Sequence, residues 1–354
     1  MADPVTGTEP ESGSGTASGT EPESGSRSAS GTGAASGSGS EPESASGTGT
    51  ASASGSRSAS GAGTTSGSGS EPESGSRSAS GTGAGSGTAS RAVSAQAPVA
   101  VRHVEEAMGT VFSFDVRGGK PAAVRAALAE AVAGLHRADE VFSTYRDGSE
   151  ISRLARGELT VEACAPEVAE VLELAAEAER VSDGWFSTRY GGRLDPTGIV
   201  KGWAVERAAR RISAVVAGAS GVSVNGGGDV QLLGTPGAAR PWRVGVSDPL
   251  RPGGLAAVVS AAGAAELAVA TSGSAERGAH VVDPRTGRSA VTDLLSVTVV
   301  APRLTWADCW ATAAFAMGAR DGLRWLESLP GVEGLLITAG DEVRCTGGLA
   351  AWLG

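Results

Sequence analysis

The chain has 354 residues, a formal charge of −10 and no cluster of Lys or Arg, which excludes a nucleic-acid-binding face. Its three cysteines, Cys164, Cys309 and Cys345, are widely spaced and odd in number, so buried free thiols are expected in place of a disulfide framework or a zinc site. No apolar run reaches about 18 residues and the N-terminus lacks the basic and apolar regions of a leader, so no membrane span is expected and the location is read as cytoplasmic.

Residues 1–96 are almost wholly Ser, Gly, Ala, Thr, Glu and Pro, with no aromatic residue. Glu9-Pro10-Glu11-Ser12 recurs at Glu21, Glu41 and Glu71, and Gly25 to Gly31 recurs at Gly55 and Gly75, without a fixed period. Such a segment cannot bury enough apolar surface to offset its conformational entropy, so a disordered low-complexity tract is expected over 1–96. Residues 97–354, rich in Ala, Val and Leu, are read as one folded domain.

Within that domain, Val99–Val116 alternates as strand, broken at Met108-Gly109-Thr110. Pro121 opens a helix with Val124, Leu128, Val132 and Leu135 on one face, and Phe142 to Arg146 ends it in a loop. A second helix is predicted from about Pro166 to Ser182, with Gly184 beyond its end, and a third from about Ile199 to Val216. Short strands follow at Val222–Asn225, Val230–Leu233, Trp242–Val246, Ala256–Ser260, Leu267–Thr271, His280–Val282 and Leu294–Val300. Helices at about Trp306–Met317 and Asp321–Leu329 precede a closing hairpin at Gly334–Cys345. Hairpin-length links between strands predict antiparallel sheets flanked by helices, an α+β architecture.

Four features could carry chemistry. Asp308 and Thr312 lie four apart, hence on one helical face, where a carboxylate and a hydroxyl suit Mg²⁺; a helix start that favours an acid, with Thr bonded back to its own helix, reads the same residues without a metal. His280 opens an alternating strand and would be a competent base in a cleft, or a structural hydrogen-bonder elsewhere. Asn225-Gly226-Gly227-Gly228-Asp229 is either a tight hairpin or a place where backbone comes close to a ligand. Asp195-Pro196-Thr197-Gly198 leads a helix whose amide end can hold an anion, with Lys201 as an added charge for phosphate.

Taken in order, these segments resemble the ApbE family of FAD:protein FMN transferases. The matching segments are Met108-Gly109-Thr110, Phe142 to Tyr145 with Ser149 to Leu154, Asp183 to Ser187, and Asp195 to Gly202. They continue with Val224 to Asp229, Trp242 to Val244, Thr271 to Gly273, His280 to Gly287, Ser296 to Val299, and Ala307 to Thr312. The resemblance runs from about Val101 to Leu353 and leaves out the N-terminal tract.

It implies Mg²⁺-dependent cleavage of FAD, with FMN passed to a Ser or Thr hydroxyl in a short Ser/Thr-Gly-Ala-Thr-like loop of a partner flavoprotein and AMP released. By position, Met108, Tyr145, Trp185, Phe186, Ser187, Asp195, Lys201 and Val282 correspond to flavin-nucleotide contacts, and Thr271 and Ser272 would offer short donors to the pyrophosphate. Asp308 and Thr312, with the main-chain oxygens of Gly198 and Ala311, correspond to the cation site, and His280 to the base. The chain departs from the family pattern in one place: only Thr188 to Leu194 separate Ser187 from Asp195, so the adenine side of the site is expected to be built differently. Two other readings use the same residues: a pyrophosphatase that splits FAD with water, and a flavin-binding protein without catalysis.

Overall fold

The computed structural model describes residues 99–237, 240–274, 281–290 and 292–354. The tract over 1–96 and His280 lie outside the described residues.

β1 (Ala100–Ala107) and β2 (Thr110–Gly118) are the strand pair read across Val99–Val116, turned at Met108-Gly109. α1 (Pro121–Phe142) buries Val124, Leu128, Leu135 and Phe142, the face its periodicity marked. α2 (Glu150–Ala155) was not legible, because six residues are too few to show a period; Ser149 caps it, its Oγ accepting from Ser152 N at 3.1 Å. α3 (Pro166–Val181) leads to a two-residue ladder, β3 (Arg189–Tyr190) with β4 (Arg193–Leu194), and then α4 (Thr197–Val215).

The chain returns through β5 (Ala219–Gly226), β6 (Asp229–Gly234), the hairpin β7 (Arg243–Ser247) and β8 (Leu255–Ser260), and β9 (Glu266–Gly273). A short pair, β10 (Val282–Asp283) and β11 (Arg288–Ser289), precedes β12 (Leu294–Ala301). α5 (Leu304–Met317) and α6 (Ala319–Glu327) come before β13 (Glu333–Thr338) and β14 (Val343–Cys345). The main sheet has eight strands in the order β1-β2-β5-β6-β9-β12-β13-β14, each pairing antiparallel. The α+β reading is borne out.

Each face of this sheet has its own core. Phe112, Phe114, Val224, Ala268, Ala270 and Val299 pack with the helices, while Val230, Leu232, Leu267, Val269 and Ile337 pack with Val246 and Val259 of the β7–β8 hairpin. That is why β9 reads as one apolar run: both of its faces are covered. Its helix-facing positions are alanines, which lets α5 approach closely.

α5 is buried almost all round, and its first turn is tied down from outside the helix. Leu304 N donates to Gln231 Oε1 at 2.8 Å, and Thr305 N and Oγ1 donate to Glu206 Oε2 at 3.0 and 2.7 Å. Arg303 and Arg210 close on the other oxygen of Glu206, at 2.7 and 2.9 Å. The orphan amides of the helix start are thus satisfied by side chains of α4 and β6, which fixes the register of α5 against α4. Of the three cysteines only Cys309 is buried; Cys164 is half-buried and Cys345 is exposed, because β14 is an edge strand. Among the described residues, no helix is long and apolar enough to cross a membrane.

Candidate functional site

A cleft of about 560 Å³ opens where the start of α4, the middle of α5, the ends of β9 and β12 and the β7–β8 turn converge. The segment after α3 forms one wall. The Ser182 hydroxyl is fully buried, accepts from Phe186 N at 2.9 Å, and so turns the chain to bury the Phe186 ring. That ring lies against Gly198, where an added Cβ would stand 3.4 Å from Phe186 Cε2. Trp185 faces the cleft with the Arg285 guanidinium 3.9 Å from its ring centroid, so β10–β11 is held to this wall by a cation–π contact.

Asp195 lines the cleft, and both its oxygens have protein partners. Oδ2 accepts from the Tyr190 hydroxyl at 2.9 Å; Oδ1 accepts from Thr197 N at 3.0 Å and from Thr197 Oγ1 at 2.6 Å. Burial, and then the Asp195 charge, push the Tyr190 phenol well above its ordinary value, so it stays protonated and donates. The carboxylate therefore secures the first turn of α4, whose Thr197 and Gly198 line the cleft.

One turn further on, Lys201 donates from Nζ to Asp229 Oδ2 and, at 3.0 Å, to Asp308 Oδ2. Asp229 is 2% exposed, and its Oδ1 accepts from Thr271 N at 2.8 Å. Asp308 is 6% exposed, and its Oδ2 accepts also from Gly202 N at 3.0 Å. Two carboxylates thus share one ammonium beside the cleft.

The Thr312 hydroxyl bonds Ser272 Oγ at 3.1 Å, and Thr271 Oγ1 bonds Thr298 Oγ1 at 2.9 Å. Thr271 and Ser272 point to opposite faces of β9, and the cleft wraps the end of the sheet between them. Asn225 to Asp229 forms the tight hairpin of its first reading. Gly227 and Gly228, at φ of 59° and 96°, make the two-residue β5–β6 turn, and Gly227 and Asp229 also line the cleft.

A hard divalent cation takes oxygen donors. Asp308 Oδ1 carries no hydrogen bond among the described residues, and Thr312 lies one helical turn away on the same cleft-facing side. Ala311, between them, is fully buried. Among the described residues no three His, Cys, Asp or Glu side chains gather as a metal cluster. The remaining donors would be hydroxyl, main-chain and water oxygens, a set that fits Mg²⁺.

Of the residues singled out from sequence, Trp185, Phe186, Ser187, Asp195, Gly198, Lys201, Thr271, Ser272, Val282, Asp308 and Thr312 all line this one cleft. Met108 and Tyr145 do not line it. Met108 sits in the β1–β2 turn against the helix-side core, and Tyr145 is 95% exposed. His103 and His136 both bond Glu105, at 3.2 and 2.9 Å, and neither lines the cleft. Sequence reasoning missed Asp229 as the partner of Lys201, Tyr190 as the partner of Asp195, and Ser296, whose buried Oγ has no partner among the described residues. The one available signal was an Asp closing a glycine run.

Comparison with known proteins places this site in context. The sequence model of the ApbE family matches residues 108–192 and 187–336. FAD:protein FMN transferase of Treponema pallidum (strain Nichols) is 34% identical over 175 residues, 45% of this chain and 47% of that protein. FAD:protein FMN transferase of Escherichia coli (strain K12) is 34% identical over 134 residues, 35% of this chain and 37% of that protein. The chain thus spans less than half the length of these curated relatives in the matched stretches. The solved flavin transferase ApbE from Vibrio cholerae superimposes with a TM-score of 0.62 at 21% identity, covering 72% of this chain and 100% of that one, a likeness of fold.

Proposed function

The chain belongs to the ApbE family, and from that premise we infer that it transfers FMN from FAD to a Ser or Thr hydroxyl of a partner flavoprotein, releasing AMP. The observation that carries this reading is the joining of Lys201, Asp229, Asp308 and Thr312 beside the start of α4, in a cleft of dinucleotide size. A protein that only bound flavin would have no use for a carboxylate and a hydroxyl arranged for a cation at the phosphate end.

The transfer forms a bond between the acceptor oxygen and the flavin-side phosphorus, and breaks the bond from that phosphorus to the bridging oxygen. The acceptor loses its proton to a base, and the bridging oxygen leaves with AMP. The Gly198 amide in the first turn of α4, the one there without an acceptor among the described residues, would donate to a phosphate oxygen, beside Lys201, whose charge Asp229 and Asp308 share. Asp229 holds Lys201 and the Thr271 amide in one position, so the charge is placed before substrate arrives. Thr271 and Ser272 add hydroxyls along the same wall. Trp185 and Phe186 give the apolar side against which a flavin ring can lie.

Asp308 and Thr312, with the main-chain oxygens of Gly198 and Ala311, would hold Mg²⁺. When bound, this ion offsets the charge that develops on the phosphate oxygens. Proton removal from the acceptor is assigned to His280, the residue before Val281, which lines the cleft.

The test is the intact mass of a candidate flavoprotein acceptor after mixing with this protein, FAD and Mg²⁺. A gain of one FMN less water on a Ser or Thr is expected, with AMP in equal amount. FMN and AMP both appearing free in solution would make the protein a pyrophosphatase, and an unchanged FAD would reduce it to a binder.

A further inference from the structure

Next to the cleft lies a second chamber of about 380 Å³, under the β7–β8 hairpin on the sheet face away from the helices. Its floor is Ser113 on β2 with Ser223 and Asn225 on β5, and its wall is β7 from Trp242 to Ser247. The two spaces share Gly227, Asp229, Ser247 and Thr271, so they are neighbours across the residue that holds Lys201.

We propose that this chamber is the port by which the acceptor polypeptide reaches the flavin phosphates, its hydroxyl-bearing loop lying between Ser223 and Trp242. The proposal rests on the transferase reading and adds to it the place where the second substrate enters. A dinucleotide fills a cleft of about 560 Å³, so a second, macromolecular substrate needs its own approach to the reacting phosphorus. The chamber provides one that ends beside Asp229 and Thr271, next to Lys201.

The lining favours a polypeptide over the adenosine end of FAD. Hydroxyls, an amide and the bare backbone of Gly227, Gly228 and Gly245 match the donors and acceptors of an extended main chain. A purine would need an open aromatic face, and the Trp242 ring has the Arg117 guanidinium over it, 5.9 Å from its centroid. The buried Nε1–H of Trp242 has no partner among the described residues. That atom is closed to solvent, so the Trp242 ring serves the chamber as a wall and offers no donor to it.

The experiment uses the full chain with Mg²⁺, FAD and a dye-labelled synthetic peptide carrying Ser-Gly-Ala-Thr. It compares the parent with Ser223→Phe and Ser113→Phe, which fill the chamber from β5 and from β2. Expected is a rise in peptide KM of at least about tenfold for each variant. FAD affinity, and AMP release from FAD with no peptide present, should stay at the parent level. Unchanged peptide KM in both variants overturns the proposal; so does loss of FAD affinity in either, which would assign the chamber to the dinucleotide. If the parent transfers nothing to the peptide, the transferase reading fails while anisotropy of the label still decides the port. Binding to the parent that Ser223→Phe abolishes supports it, and no binding to the parent sinks it.

Discussion

The main-chain N–H of Gly202 on α4 donates to Oδ2 of Asp308 on α5 at 3.0 Å, and the same oxygen accepts from Lys201 at 3.0 Å. One carboxylate oxygen thus couples the packing of two helices to the placement of the cleft's fixed charge. A Cβ at position 202 would lie 2.8 Å from Asp308 Cβ and 2.9 Å from the Leu304 carbonyl, so only glycine permits this approach.

Gly202→Ala is therefore expected to act on stability and on chemistry together. Overpacking of this kind costs about 1–3 kcal/mol. The displaced Asp308 should also lose Lys201, and turnover should fall by about a hundredfold or more, as when a preorganised charge is misplaced. Chemical denaturation and the rate of AMP release check the two effects; a stable variant with parent activity would show that the helices slide apart freely.

Asp308→Ala removes the carboxylate and leaves Lys201 with Asp229. The fold should persist, since α5 keeps the ties of Leu304 and Thr305 to Gln231 and Glu206. Mg²⁺-dependent turnover should be lost. Circular dichroism with a Mg²⁺ titration of the rate decides it, and parent-level turnover would remove Asp308 from the cation site.

Glu206 predicts a pH dependence of stability. Burial opposes its ionisation, but hydrogen bonds from Thr305, Arg303 and Arg210 outweigh that and hold its pKa below the ordinary Glu value of 4.5. A depressed carboxylate contributes stability above its unfolded pKa and loses it as pH falls through the folded one. Glu206→Gln should thus be less stable at neutral pH, by about 1–3 kcal/mol from the unsatisfied donors at the start of α5. The gap between variant and parent should begin to narrow in the ordinary Glu range and close only as pH falls through the lower folded pKa. Denaturant titrations across acid pH measure it, and a gap that does not depend on pH would contradict it.

His280→Asn is expected to bind FAD as the parent does, with turnover reduced about 10²- to 10⁴-fold, the worth of a positioned general base. The parent rate should rise with pH through one ionisation in the histidine range. Activity kept within about threefold, with FAD affinity collapsed, would make His280 a binding residue and move the search for the base to Asp283 or Asp229.

The amino-acid sequence by itself determined what depends on neighbours along the chain. The faces of α1 and α3 follow from a 3.6-residue period, the β5–β6 turn from Gly227 and Gly228, and the shared face of Asp308 and Thr312 from their spacing. The order of such segments was enough to indicate the family before any contact was known. Tertiary structure alone decided which charges meet. Lys201 finds Asp229 at a separation of 28 residues and Asp308 at 107, across β6 and α5, and no local period encodes either pairing. The same holds for Gln231 and Glu206, which satisfy the first amides of α5 from 73 and 99 residues away, and for the chamber floor shared by Ser113 and Ser223. Periodicity reports which side of an element is buried; what it is buried against depends on the sheet order, which brings β5, β6 and β9 together only after the chain has folded.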